Sequence, residues 1–391
     1  VTLAALEIIG YRSVRRIRFP LRQLTVLVGG NGVGKTNLYR SLELLQSVAE
    51  GTLAQELARE GGLASVFWAG GRNLTEDGSF DPMYRTDGYR AGESNRLVLE
   101  AEFEEIEGFA EGPRYRVELG FAPAEAVAAF PNEVQIKSEL LALRHRGKSV
   151  SLMERKGHIA WARDAEGRRE VADEDLLPSE PALARLGGRP EIARLRDTMQ
   201  DWRFFHGFRT DIDSNLRRAS HAITAPSLAS DGGNLGAVFA TLRHIRQDTV
   251  DLDAAIADAF PGVELFVPPV GDYASFGLRY PEMPKRIFGP HELSDGTLQF
   301  LALAGALMSY RLPPFIALNE PETSLHPSVL PVLARMIVKA AERSQIWVVT
   351  HDRSLADAIA AESGVLPREV VRGEDGTWLE GLSQMGTFID D

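Results

Sequence analysis

The stretch that most constrains the fold is "GGNGVGKTN", residues 29–37. Gly29 is followed by four residues and then by Gly34-Lys35-Thr36. The apolar "LTVLV" precedes it, and "KTNLYRSLELLQSVAE" overlaps its end, with Leu38, Leu42 and Leu45 recurring on one face of a helix. A strand, a glycine-rich turn and a helix N-terminus in that order form a cradle for phosphate. The glycines let backbone N–H groups turn inward, and the helix terminus adds partial positive charge. Lys35 then reaches the β- and γ-phosphates, and the Thr36 hydroxyl binds Mg²⁺. The bland alternative is a glycine-rich strand-to-helix turn; the correct flanks on both sides favour the cradle.

A second stretch, "FIALNEPETSLHP" at 315–327, carries an apolar run straight into Asn319 and Glu320, with a further carboxylate at Glu322. An apolar strand buried in a parallel sheet ends at the sheet's carboxyl edge, where α/β folds bind ligands. Glu320 is thus a candidate to polarise a water for in-line attack on a γ-phosphorus. "QIWVVTHD" repeats the pattern and delivers His351 at a strand end. In "HELSDGTLQFLALAGAL", Ser294 is a candidate helix cap, with Asp295 and Gly296 in the first turn and an apolar side through Leu298, Leu301 and Leu303.

Composition limits the classes available. The chain has 391 residues, 43 Lys and Arg against 55 Asp and Glu, a net charge of −12 and no Cys. Bulk charge therefore argues against a protein that coats nucleic acid, although a local basic groove stays open. Disulfides and thiolate metal sites are excluded, which fits a reducing cytoplasm. No apolar run is long enough to span a bilayer, and the N-terminal arginines follow the apolar stretch instead of preceding it, unlike a secretory signal. We expect a cytoplasmic protein with no membrane association.

Along the chain, "LAALEII" and "LTVLV" read as strands with a basic hairpin-like piece between them. Residues 61–95 are glycine-rich and irregular. "RLVLEAEFEE", "RYRVELGF", "EVQIKSELLAL" and "HIAWAR" predict an antiparallel sheet. From Pro181 the pattern turns helical, clearest in "EIARLRDTMQDWRFF" and "NLGAVFATLRHIRQD". "VELFVPPV" and "YASFGLRY" return to strands, and the last third alternates helix and strand. Segments near 181–190 and 261–272 are candidate lobe boundaries. Neither an internal repeat nor a sustained heptad pattern is visible.

The order of "GGNGVGKTN", "LSDGT", "NEPE", "SLHP" and "THD" resembles the ABC-type ATPase superfamily. It is most similar to the RecF/SMC branch, and within it to compact bacterial "AAA family ATPase" proteins with an ABC-type head. The resemblance is strongest over the first 45 residues and from His291 to Asp352. It implies an α/β P-loop NTPase with a mixed sheet, an antiparallel β subdomain and a helical lobe bearing the signature motif. The implied division is 1–180 for a nucleotide-binding lobe with Walker A, 181–311 for the more helical lobe, and 312–391 for the rest of the nucleotide-binding lobe. By resemblance Gly29, Asn31, Gly32, Gly34, Lys35, Thr36 and Asn37 bind ATP from one head. Ser294, Asp295 and Gly296 bind it from a partner head. Phe315 to Glu320 form Walker B, Ser324 to His326 lie in the D-loop, and His351 is the switch histidine. The implied catalytic set is Glu320, His351 and Lys35. Mg²⁺ falls to Thr36 and Asn319, and ATP drives a head-to-tail homodimer.

Three features depart from that pattern. Walker B normally ends Asp-Glu, and here it ends Asn319-Glu320. The signature has Asp295 and Thr297 where transporter subunits commonly have Gly and Gln. No Q-loop glutamine can be placed: Gln46 falls within the first helix, and "SVFWAGGR" has none.

The primary expectation is an ATPase whose dimerisation controls an action on DNA or on an effector protein encoded nearby, in repair, recombination or defence. One alternative is a nucleotide-gated switch with negligible hydrolysis, favoured by Asn319. Another is the soluble ATPase subunit of a transporter, disfavoured by the long middle sheet and by "NEPETSLHP". Arg12 is a candidate nucleotide contact. Arg16 and Arg18 share a strand face and are candidates for a phosphate backbone, against the plainer reading of a solvated edge. "WRFFHGFRTD" mixes aromatic and basic residues; base stacking is one reading, and a helix packing its aromatics into a core is the commoner one.

Overall fold

The computed structural model describes residues 2–68, 96–104, 112–122, 130, 132–145, 148–164, 166–186, 189–246, 249–373 and 376–389. Strands β1 (Leu3–Tyr11), β2 (Val14–Pro20) and β3 (Leu24–Val28) lead into helices α1 (Lys35–Glu50), α2 (Leu53–Arg59) and α3 (Leu63–Val66). A run of strands follows: β4 (Arg96–Phe103), β5 (Pro113–Gly120), β6 (Gln135–His145), β7 (Lys148–Lys156), β8 (Ile159–Arg163) and β9 (Arg169–Asp173). Then come α4 (Ala182–Arg185), α5 (Pro190–Gln200), β10 (Arg203–Phe205), β11 (Ser220–His221), α6 (Leu235–Ala240) and α7 (Val250–Ala259). β12 (Glu264–Phe266), β13 (Tyr273–Ala274) and β14 (Gly277–Arg279) are short. The last third holds α8 (Asp295–Met308), β15 (Phe315–Asn319), α9 (Leu330–Ala341), β16 (Gln345–Thr350), α10 (Arg353–Ser363), β17 (Arg368–Gly373) and β18 (Gly376–Leu379).

The chain packs as two compact units. One comprises Val1–Arg22, Gly29–Trp202 and Glu369–Asp391; the other comprises Gln23–Val28 and Arg203–Arg368. This division follows packing, whereas the three segments expected from the sequence follow motif content.

The first unit is built on an antiparallel sheet in the order β17-β18-β2-β1-β4-β5-β6-β7-β8-β9. The four strands read from the middle of the sequence are present, and β7 and β9 lie between or beside them. Their sequences, "KSVSLMERK" and "REVAD", carry few apolar residues, so alternation gives little signal there. Leu97, Leu99, Tyr115, Val117 and Leu119 are buried on the sheet. Helix α1 buries Leu38, Leu42 and Leu45, as its spacing predicts, and ends at Gly51 in the left-handed conformation. Of the glycine-rich segment expected over 61–95, residues 69–95 lie outside the described ones.

The second unit holds a parallel sheet in the order β10-β15-β16-β3. All six residues of β16 and the first four of β15 are buried, as strands with both faces covered require. Helix α8 departs from an amphipathic reading: Leu298 to Leu307 are all buried, so it is enclosed on every side. "WRFFHGFRTD" is not helical. Its Arg203–Phe205 stretch forms β10 at the sheet edge, with Phe204, Phe205 and Phe208 buried; Trp202, the last residue of the first unit's Gly29–Trp202 segment, is buried too, so the aromatics serve packing and not base stacking. Among the described residues, no helix is long and apolar enough to cross a membrane.

Candidate functional site

In the first unit, the glycine-rich loop runs from Gly29 to Gly34 and α1 starts at Lys35. Gly30, Asn31 and Gly32 are exposed, as is Thr36, while Lys35 is buried at 4%. The Lys35 ammonium donates to the carbonyl oxygens of Gly29 at 2.6 Å and Gly30 at 2.7 Å, so its charge sits inside the loop. Gly34 has φ of +104°, and a Cβ there would stand 1.9 Å from Thr377 Oγ1 and 2.7 Å from Ser13 Oγ. Only glycine meets both demands.

The side chains behind that glycine form a network. Asn37 Nδ2 donates to Ser13 Oγ at 2.6 Å, Ser13 Oγ and Thr377 Oγ1 share a hydrogen bond of 2.7 Å, and Thr377 Oγ1 donates to the Val33 carbonyl at 2.9 Å. Asn37 was expected at the nucleotide, and its amide is engaged here with the loop's support. Thr377 and Ser13 carry no motif and lie 364 positions apart, so no local sequence signal points to them.

Arg12, a candidate nucleotide contact, is held elsewhere. Its guanidinium pairs with Glu60 at 2.7 Å, and its N–H donates to the Val66 carbonyl at 2.7 Å. The buried Tyr11 hydroxyl donates to the same Glu60 at 2.9 Å, and burial, aided by that carboxylate, raises its pKa and keeps it neutral. Gln46 donates to the Trp202 carbonyl at 2.8 Å and so ties α1 to the end of α5. Arg16 pairs with Glu7 at 3.0 Å and Arg18 with Glu102 at 2.9 Å, both part-exposed on one sheet face.

In the second unit, three parallel strands end at one edge. Asn319 lies opposite Val349, and Thr350 lies opposite Val28, the last residue before the loop. Glu320 has φ of +49°, an uncommon conformation for a residue with a Cβ, and its N–H donates to the Val349 carbonyl at 2.7 Å. The turn takes its carboxylate out of the strand's alternation and leaves it 35% exposed. His351 Nδ1 lies 3.6 Å from Glu320 Oε1 and 3.2 Å from Glu322 Oε1. Glu322 is buried; its Oε1 also accepts from Thr350 Oγ1 at 2.5 Å and the His351 N–H at 3.2 Å. Asp352 caps α10 by accepting from the Ser354 and Leu355 N–H groups. The second strand end therefore supplies a positioned histidine and a helix cap together.

Asn319 Oδ1 is buried and accepts no hydrogen bond among the described residues. An acceptor left without a donor is destabilising, and a hydrogen from metal-bound water would satisfy it. The amide thus fits an Mg²⁺ hydration shell, though it brings no negative charge.

Ser294 caps α8, its Oγ accepting from the Thr297 N–H at 3.2 Å and sharing a 2.8 Å hydrogen bond with Thr297 Oγ1. Arg217 grips the turn before it. The guanidinium donates to the carbonyls of Pro290 at 3.1 Å and Leu293 at 2.9 Å and pairs with Asp295 at 2.8 Å. Asp295, expected at a nucleotide, is thus committed to an arginine that the sequence reading did not single out. Gly296 packs against the Ser324 carbonyl, where a Cβ would stand 2.6 Å away.

A protein-family profile described as "AAA domain, putative AbiEii toxin, Type IV TA system" (AAA_21) matches residues 24–357. Solved structures that share the fold include two SMC heads. The SMC head bound to the C-winged helix domain of ScpA superposes with a TM-score of 0.56 at 15% identity over 98% of both chains. The SMC head with a coiled coil and joint from Pyrococcus yayanosii gives 0.50 at 11% identity, again over 98% of both. No curated protein matches the chain. The fold is that of an ABC-type, SMC-like ATPase head.

Proposed function

The chain belongs to the AAA_21 family of AAA domains, and from that membership we propose that it binds Mg-ATP, hydrolyses it slowly and forms a head-to-tail homodimer while ATP is bound. The observation that carries this reading is the half-buried Glu320 carboxylate, turned out of β15 beside His351 at the end of the adjacent strand. In this reading the Gly29–Thr36 loop wraps the phosphates and Lys35 exchanges loop carbonyls for phosphate oxygens. Glu320 takes a proton from the attacking water, and His351 contacts the γ-phosphate. Thr36 and Asn319 hold Mg²⁺, which when bound neutralises charge on the phosphates. Ser294, Asp295 and Gly296 face the ATP of a second copy.

The action controlled by the dimer is on DNA or on a DNA-associated effector protein. An SMC-type head bound to a ScpA domain supports the protein partner by analogy of fold. A phosphate backbone reaching Arg16 and Arg18 would have to displace Glu7 and Glu102, so contact there would be weak at high salt. The second reading, a nucleotide-gated switch without turnover, is favoured by Asn319. Phosphate release and calorimetric ATP binding test both. We expect Glu320→Gln to bind ATP and lose turnover. A parent protein that binds ATP without releasing phosphate favours the switch, and one that binds no ATP sinks both readings.

A further inference from the structure

Glu322 is the carboxylate in "NEPE" that none of the roles above uses, although it is the more deeply placed of the pair. Its side chain is 5% exposed, against 35% for Glu320 and 45% for His351. Oε1 gathers three contacts: the Thr350 hydroxyl at 2.5 Å, the His351 N–H at 3.2 Å and His351 Nδ1 at 3.2 Å. Oε2 is buried with no hydrogen-bond partner among the described residues. A carboxylate so enclosed accepts hydrogen bonds and cannot swing to solvent. It fixes the backbone of residue 351 and lies against one edge of the ring.

We propose that Glu322 is the positioning residue of His351: it holds the backbone N–H of residue 351, and its carboxylate, 3.2 Å from Nδ1, draws the ring proton to Nδ1 and leaves Nε2 bare. A neutral imidazole has one N–H and one bare nitrogen, and the hydrogen bond on one decides the chemistry of the other. With the proton drawn to Nδ1 by the adjacent carboxylate, Nε2 is the nitrogen left to meet a ligand. Glu320, at 3.6 Å from the same Nδ1, is beyond hydrogen-bond distance and keeps its lone pairs for water. Thr350 completes the arrangement by donating to Glu322 from inside the sheet. The ligand's identity as a nucleotide phosphate rests on the proposed function, but the tautomer does not.

Imidazole nitrogen NMR of the full chain without nucleotide, at about pH 8 where an ordinary histidine is neutral, tests the proposal. His351 is one of 8 histidines and is identified by the signals lost in His351→Ala. The parent should carry its proton on Nδ1. Glu322→Gln, which keeps a carbonyl acceptor, should retain that form, and Glu322→Leu should move the proton to Nε2. A parent ring protonated on Nε2 alone overturns the proposal whether or not any variant folds, as does a Glu322→Leu spectrum unchanged at His351. In phosphate release, Glu322→Leu should lower kcat roughly tenfold or more at unchanged KM, as removal of an orienting partner does. The Glu322→Leu, His351→Ala double variant should be no slower than His351→Ala, and multiplying losses would contradict action through His351. A parent without turnover defeats the ATPase reading and leaves the NMR result to decide this one.

Discussion

Gly296, in the first turn of α8, lies against the carbonyl oxygen of Ser324: a Cβ at 296 would stand 2.6 Å from it. The first turn of α8 and the loop after β15 are thus in backbone contact within the second unit. Ser324 itself has φ of +66°, so the loop has little freedom to retreat. Gly296→Ala should destabilise the protein by about 1–3 kcal/mol through overpacking. It should also weaken ATP-dependent dimerisation while calorimetric ATP binding persists. Sedimentation in the Glu320→Gln background reads the dimer. Full dimerisation in Gly296→Ala would show that this contact does not set the turn that opens α8.

Lys35→Ala should lose nucleotide binding. The sequence places Lys35 in a ligand-facing loop, where its loss would leave the core untouched. Its burial and its two carbonyl hydrogen bonds add a second effect, a stability loss of roughly 1–3 kcal/mol from the two acceptors it leaves. Thermal unfolding would register the loss. ATP binding as tight as the parent's would remove the cradle assignment.

Thr377→Val preserves shape and removes the hydroxyl that joins Ser13 to the Val33 carbonyl. We expect destabilisation of roughly 1–3 kcal/mol and weaker ATP binding, with Thr377→Ser restoring both. Equal ATP affinity in Thr377→Val and parent would mean that the loop keeps its shape without this support.

Asn319→Asp should raise Mg²⁺ affinity and turnover. A unit charge pair near 4 Å is worth ~4 kcal/mol gross at an intermediate dielectric, before desolvation offsets it. Phosphate release across Mg²⁺ titrations checks the effect. Fast turnover in the parent with no gain in Asn319→Asp would make the amide a neutral variation.

Arg16→Ala should destabilise more than Arg18→Ala. The carboxylate it leaves, Glu7, is 6% exposed, whereas Glu102 is 30% exposed and keeps water contact. The first loss should be roughly 1–3 kcal/mol and the second below about 1 kcal/mol. Urea unfolding midpoints would rank them, and the reverse order would contradict the assigned pairing.

Periodicity and end-residue chemistry carried much of the architecture. Leu38, Leu42 and Leu45 lie on the buried face of α1 as their spacing requires, and the apolar runs before Asn319 and His351 are buried parallel strands. Such local patterns repeat the geometry of the element they form, so they can be read without knowing what packs beside them. The strands β7 and β9 escaped because their side chains are mostly polar, and the aromatic "WRFF" became a strand because sheet pairing overrode its helical flank.

What the residues do once folded depended on neighbours remote in the chain. Sequence order alone marked Gly34, Lys35, Glu320 and His351 as the residues to watch. It could not reveal that Thr377 and Ser13 close behind Gly34, that Arg217 holds Asp295, or that Glu322 takes the ring edge of His351. Arg12, Arg16 and Arg18 look alike as unpaired cations in a string of letters, yet each meets its own carboxylate. Charge complementarity and close packing act through space at 3–4 Å, and only the tertiary fold sets which groups come that near.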